Sequence, residues 1–155
     1  MTVSSNSPVP VSAPVLNPGE ILVTNGKNDD EMLWRQVNPS YVDKQGKVTE
    51  QAFQPTSSDP RRLSCSRQKL QSEQGAFEHH TQVLNLKSAG TWAVSVAEVS
   101  AEQVHAVDDS AVQSQVPPTP GHTYIDYQGL NKTDRAYLRD ALADAANGWG
   151  IQYPS

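Results

Sequence analysis

One cysteine, Cys65, stands in 155 residues, so no disulfide can form within the chain and a metal site built from cysteines alone is excluded. No stretch approaches the roughly 20 consecutive apolar residues of a membrane-spanning helix. The opening MTVSSNSPVPVSAPVLNPGE lacks the positive start and unbroken apolar centre of a secretion signal. Basic charge is scarce as well: 12 Lys and Arg against 17 Asp and Glu leave a net charge of -5. Such a chain offers no broad cationic face to the phosphates of a nucleic acid or to an anionic membrane. These absences lead to the expectation of a cytoplasmic protein in a reducing compartment, with neither nucleic acid nor membrane as partner. Hydrophobic residues make up 36% and mean hydropathy is -0.58, lean for a globular chain, which places part of the length outside the fold.

What is present suits one domain with a leader. Residues 1–30 are expected to be a disordered or extended tail, because Pro8, Pro10, Pro14 and Pro18 and the surrounding Ser and Asn separate isolated valines that cannot gather one buried face. ILVTN at 21–25 is the one segment of it with the character of a strand that docks on the domain. Residues 31–155 then form a single α+β domain, a small mixed or antiparallel sheet covered by two main helices. MLWRQV (32–37) has β-branched and aromatic strand character, and KVTEQAF (47–53) follows a Gln45-Gly46 turn signal that could pair the two as a hairpin. Residues 62–67 form a further strand. Leu70, Phe77, Thr81 and Leu84 recur at helical spacing over 68–85. TWAVSVAE (91–98), apolar on both parities except Ser95, suits a central strand covered on both faces. Ser100 and Gln103 have capping-box spacing. A proline-broken loop (108–122) leads to the strand TYIDY (123–127), then to a helix capped by Asn131 or Thr133 with Tyr137, Leu138, Ala141, Leu142 and Ala145 on one face and Gly148 at its end.

Along this domain LWRQVNPSYV, GKVTEQAFQPT, RRLS, HHT, LNLKSAGTWAVSVAE and YIDYQGLNK to GWGIQY resemble a family of small, uncharacterised bacterial proteins. Its pattern runs Trp-Arg-Gln-Val, Gln-Ala-Phe-x-Pro-Thr, Leu-Ser, His-x-Thr and a Trp-Ala-Val strand. It falls here on Trp34, Arg35, Gln36, Gln51, Ala52, Phe53, Pro55, Thr56, Leu63, Ser64, His79 and Thr81. Position 80 departs from it with a second histidine in place of an aromatic residue, so the resemblance gives His80 no role. It implies no activity.

His79 and His80 invite a metal reading that their spacing excludes. On a helix turning about 100° per residue, His79 points away from the Phe77 and Leu84 stripe while His80 lies on its flank. Adjacent positions also miss the i, i+4 spacing of helical metal ligands. Arg35 is the stronger candidate, because a guanidinium in an otherwise apolar strand must find acceptors. Either an internal carboxylate such as Glu50, Glu98 or Asp126 balances it, or its planar fork waits for a phosphate or carboxylate ligand. Gln51, Thr56, Ser64, Arg67 and His79 come from neighbouring segments and could converge on that ligand or partner.

Three function classes follow. A non-catalytic interaction or accessory module of a bacterial multiprotein system, such as one of defence or stress, accords with the lack of a nucleophile with an assured base, a Gly-rich phosphate loop, metal spacing or a close carboxylate pair. It needs no cofactor, and its partner would be a protein encoded nearby. The alternative is an enzyme using NAD or another nucleotide with ADP-ribosyltransferase-like organisation, where Arg35 grips phosphate, Thr49 or Gln51 orients the ligand and Glu98 is the catalytic carboxylate. A small-molecule sensor using the Arg35 cleft would share the ligand without the reaction.

Overall fold

Six strands carry the period-two alternation that makes a two-faced sheet. In the computed structural model, which describes residues 14–24 and 30–154, they are β1 (Ile21–Val23), β2 (Met32–Val37), β3 (Arg62–Arg67), β4 (Gly90–Ser95), β5 (Ala106–Asp108) and β6 (His122–Asp126). They lie in the order β1-β5-β6-β3-β2-β4, and every neighbouring pair is antiparallel. The helices are α1 (Glu73–Glu78), α2 (Val96–Ala101) and α3 (Lys132–Trp149). Leu33, Leu63, Cys65, Trp92, Val94 and Ile125 form the main core with Leu138, Leu142 and Ala146 of α3. On the opposite face Trp34 and Ala93 pack with Ala76 of α1 in a smaller cluster. The protein is therefore α+β, with the sheet wholly antiparallel among the described residues.

The alternation also sorts the polar residues. Ser66 lies opposite both Trp34 and His122, and Ser64 lies opposite Tyr124. Arg62, Ser64, Ser66, His122 and Tyr124 therefore share the α1 face, while Arg35, opposite Trp92, belongs to the α3 face. Of the ILVTN segment, Ile21–Val23 does dock, antiparallel to β5. Residues 1–13 and 25–29 of the expected tail lie outside the described residues.

Several elements differ from their sequence-based expectation for local reasons. KVTEQAF does not pair with β2: Val48 makes one bridge to Val42, and Glu50–Phe53 is a 3₁₀ turn that buries Ala52 and Phe53 in the α3 core. The strand expected over 91–98 stops at Ser95. There the Ser95 hydroxyl accepts from the Glu98 N–H while the Glu98 carboxylate accepts from the Ser95 N–H, so the capping box starts α2 five residues before the expected Ser100. β4 is a terminal strand of the sheet, not a central one, yet all six of its residues are buried. Its outer edge is met at Thr91 by Tyr153. The expected 68–85 helix contracts to α1, capped by Ser72, followed by a π-helical turn at His79–Val83. Helix α3 buries Leu138, Leu142, Ala143 and Ala146, whereas Tyr137 is exposed; the helix runs through Gly148 and ends at Gly150, whose φ of 78° suits a glycine.

Trp92, 3% exposed in the main core, makes β4 sensitive despite its terminal place. Trp92→Ala is expected to destabilise the protein by roughly 3 to 5 kcal/mol in urea unfolding. A midpoint close to that of the parent protein would move the centre of the core elsewhere.

Candidate active site

Ser64 and His122 are diagonal neighbours on adjacent strands, because Ser64 pairs with Tyr124 and His122 with Ser66. Diagonal side chains on one sheet face are separated by roughly 7 to 8 Å at their backbones, within reach of an imidazole. His122 Nε2 lies 3.3 Å from the exposed Ser64 hydroxyl. Its Nδ1 lies 2.5 Å from Asp109 Oδ1. The carboxylate is 7% exposed and the imidazole 17%, so the order Asp109, His122, Ser64 runs from buried to open. All three line a cleft of about 370 Å³, whose wall also includes Glu20, Asp59, Arg62 and Gln113.

Each member is held by its neighbours. Asp109 directly follows Asp108, the last residue of β5, whose carboxylate accepts from Arg67 Nη1 and from the Ser110 N–H and hydroxyl. Burial pushes the Asp108 carboxyl up, but the bonds from Ser110 and Arg67 outweigh it and leave the group below its ordinary value. Arg67 also grips the buried Glu31 through Nε and Nη2. The loop after Asp109 is closed by a reciprocal pair: the Gln113 side chain donates to the Thr119 carbonyl and accepts from the Thr119 N–H. Gly121 then turns the chain into β6 with φ 67°. A Cβ there would stand 3.0 Å from the Leu70 Cβ and 3.3 Å from the Arg67 amide nitrogen, so glycine is required just before His122.

The expected site residues divide between the two faces. Ser64 lines the cleft. Arg67 anchors Asp108 from the other face, and His79 Nε2 lies 3.1 Å from the Thr119 hydroxyl, steadying the loop. Burial lowers the affinity of His79 and His80 for a proton. Arg35 has none of its three expected carboxylate partners. Glu50 pairs with Arg139, Asp126 with Arg61, and Glu98 caps α2 and accepts from Trp149. Arg35 instead donates to two backbone carbonyls, those of Ala52 and Ser64, and so ties the 3₁₀ turn to the back of the strand bearing the serine. Burial lowers its proton affinity too. Gln51 is exposed on that turn, the Thr49 hydroxyl donates to the Tyr41 carbonyl, and the exposed Thr56 bonds Ser58. None of these three lines the cleft.

Three cleft residues escape the sequence pattern: His122, Asp109 and Arg62. His122 follows a proline-broken loop and Asp109 sits in an Asp-Asp-Ser run that looks like turn chemistry. The registers of β3 and of β5 against β6 bring them together. Cys65, the neighbour of Ser64, points into the α3 core, where burial pushes its thiol up to about 11, so it stays protonated and unreactive. The comparisons add no relative: no family model, curated protein or solved structure matches this chain.

Proposed function

We propose that this protein is a serine hydrolase acting on a small ester or thioester, with Ser64 as nucleophile, His122 as general base and then acid, and Asp109 as the group that orients and stabilises the imidazole. The observation that carries this reading is the continuous Ser64, His122, Asp109 hydrogen-bonded chain on the wall of an open cleft. With Asp109 accepting from Nδ1–H, the network leaves the Nε2 lone pair facing the Ser64 hydroxyl. A separation of 3.3 Å accords with catalytic hydrogen bonds that are long in the free enzyme and shorten when substrate is bound. The cleft volume, about 370 Å³, lies in the range of small-molecule sites.

In the first half-reaction the Ser64 oxygen attacks the acyl carbon while its proton passes to His122 Nε2. Asp109 faces the imidazolium that results. The bond from acyl carbon to leaving oxygen or sulfur then breaks, and His122 delivers the proton to the departing atom. Water repeats the sequence on the acyl-serine, releasing a carboxylic acid and restoring Ser64. The Tyr124 hydroxyl donates to Glu20 of the cleft wall and is pushed up to about 12 by its burial and by that carboxylate, so it stays neutral.

Labelling with a fluorophosphonate tests the proposal, because the reagent needs an activated serine. The expected adduct is on the peptide carrying Ser64, and it disappears in Ser64→Ala and in His122→Ala. A folded protein that ignores the reagent would defeat the hydrolase and return the interaction module to first place.

A further inference from the structure

Arg62 carries the inference furthest. It stands two residues before Ser64 on the same face of β3 and lines the same cleft. Its guanidinium carbon lies over the Tyr124 ring, 4.8 Å from the centroid, and Tyr124 is the residue directly opposite Ser64. The cation is therefore laid back toward the nucleophile. Stacking holds the guanidinium plane but uses none of its N–H donors. Among the described residues its side chain has no hydrogen bond and no ion pair. The nearby carboxylates are engaged elsewhere: Asp126 with Arg61, Asp109 with His122, and Glu20 with the Asn17 N–H and the Tyr124 hydroxyl. Asp59 stays at the exposed rim.

We infer that Arg62 selects substrates bearing one carboxylate close to the reacting acyl carbon, so that the hydrolase acts on half-esters or half-thioesters of small dicarboxylic acids. This rests on the hydrolase reading of Ser64. Residues two apart on a strand are separated by roughly 6 to 7 Å, and the lean of Arg62 toward Tyr124 shortens that span, so a short dicarboxylate bridges guanidinium and serine. The same cleft carries Glu20, Asp59 and Asp109 beside a single guanidinium. That balance favours a monoanion and opposes polyphosphates. A planar carboxylate matches the fork of an arginine already fixed in orientation.

The test compares p-nitrophenyl hemisuccinate with p-nitrophenyl butyrate, an uncharged ester of similar length, in the wild type, Arg62→Ala, Arg62→Lys and Ser64→Ala. In parallel, succinate and inorganic phosphate are titrated calorimetrically into the wild type and Arg62→Ala. The ratio of kcat/KM for the anionic over the neutral ester is expected to fall roughly ten- to hundredfold in Arg62→Ala, the worth of a hydrogen bond to a charged group. The change should lie mainly in KM, with Arg62→Lys between. Succinate should bind the wild type, phosphate more weakly, and Arg62→Ala should bind neither. An unchanged ratio in Arg62→Ala, with Ser64→Ala inactive on both esters, overturns the carboxylate assignment and leaves the hydrolase standing. Succinate binding that depends on Arg62 in a protein hydrolysing neither ester upholds the carboxylate site and defeats the hydrolase. Equal or tighter binding of phosphate overturns the choice of carboxylate.

Discussion

Asp109→Asn is expected to lower kcat for ester hydrolysis roughly 10⁴-fold while the protein stays folded. The argument turns on one proton. Asp109 accepts from His122 Nδ1, which leaves Nε2 free to accept from Ser64. An asparagine in its place can present its amide N–H to Nδ1; the imidazole then carries its proton on Nε2 and points a donor, not a base, at the serine. Ser64→Ala and His122→Ala should fall by a similar or larger factor, and the triple variant should be hardly worse than either, because the three groups act as one unit. Ser64 is exposed, so its loss should leave the melting temperature within a degree or two. Stopped-flow or steady-state release of p-nitrophenol with matched thermal melts reads both quantities. Activity surviving in Asp109→Asn, or losses that multiply across the three sites, would mean that hydrolysis arises elsewhere.

The α+β class, the strands β2, β3 and β6, and the helix capped by Asn131 were legible in the sequence, because each rests on local signals: period-two apolarity, a cap and a turn. Ser64 was legible as a candidate, yet its partners were not. A serine in Leu-Ser-Cys-Ser and a histidine in Gly-His-Thr-Tyr carry no mark of proximity, since 58 positions separate them and only strand register makes them diagonal neighbours. A slip of one residue in that register would turn the α1-face side chains of one strand toward the core. Arg35 drew attention for a sound reason, the need of a half-buried cation for acceptors. The acceptors proved to be the carbonyls of Ala52 and Ser64, which no side-chain pattern announces. β4 misled in the same way: an all-apolar run reports burial on both faces, but burial does not say whether a strand lies inside the sheet or at its border.

Arg67→Ala is expected to destabilise the protein about as strongly as Trp92→Ala, and to take activity with it. Arg67 joins two carboxylates that water scarcely reaches: Glu31 and Asp108 have side chains 1% and 6% exposed, with bonds of 2.8 and 2.9 Å to the guanidinium. Removing the cation strands both anions in the interior, and losses of this kind run to roughly 3 to 5 kcal/mol. Because Asp108 fixes the chain immediately before Asp109, a population that still folds should also position His122 poorly. Arg67→Lys retains the charge but not the two-sided fork, so it should recover part of the stability. Acid should reproduce the effect in the parent protein. The folded Asp108 carboxyl sits below its ordinary value, so its contribution is complete above the unfolded value, roughly pH 4. It fades as falling pH passes through the lower folded value. Asp108→Asn should therefore be less stable than the parent at neutral pH, and the gap between them should narrow below about pH 4. Urea unfolding of the parent, Arg67→Ala, Arg67→Lys and Asp108→Asn from pH 3 to 7 measures each of these differences. A gap that stays constant across that range would show that the Asp108 charge contributes nothing to the fold, and that Arg67 serves Glu31 alone.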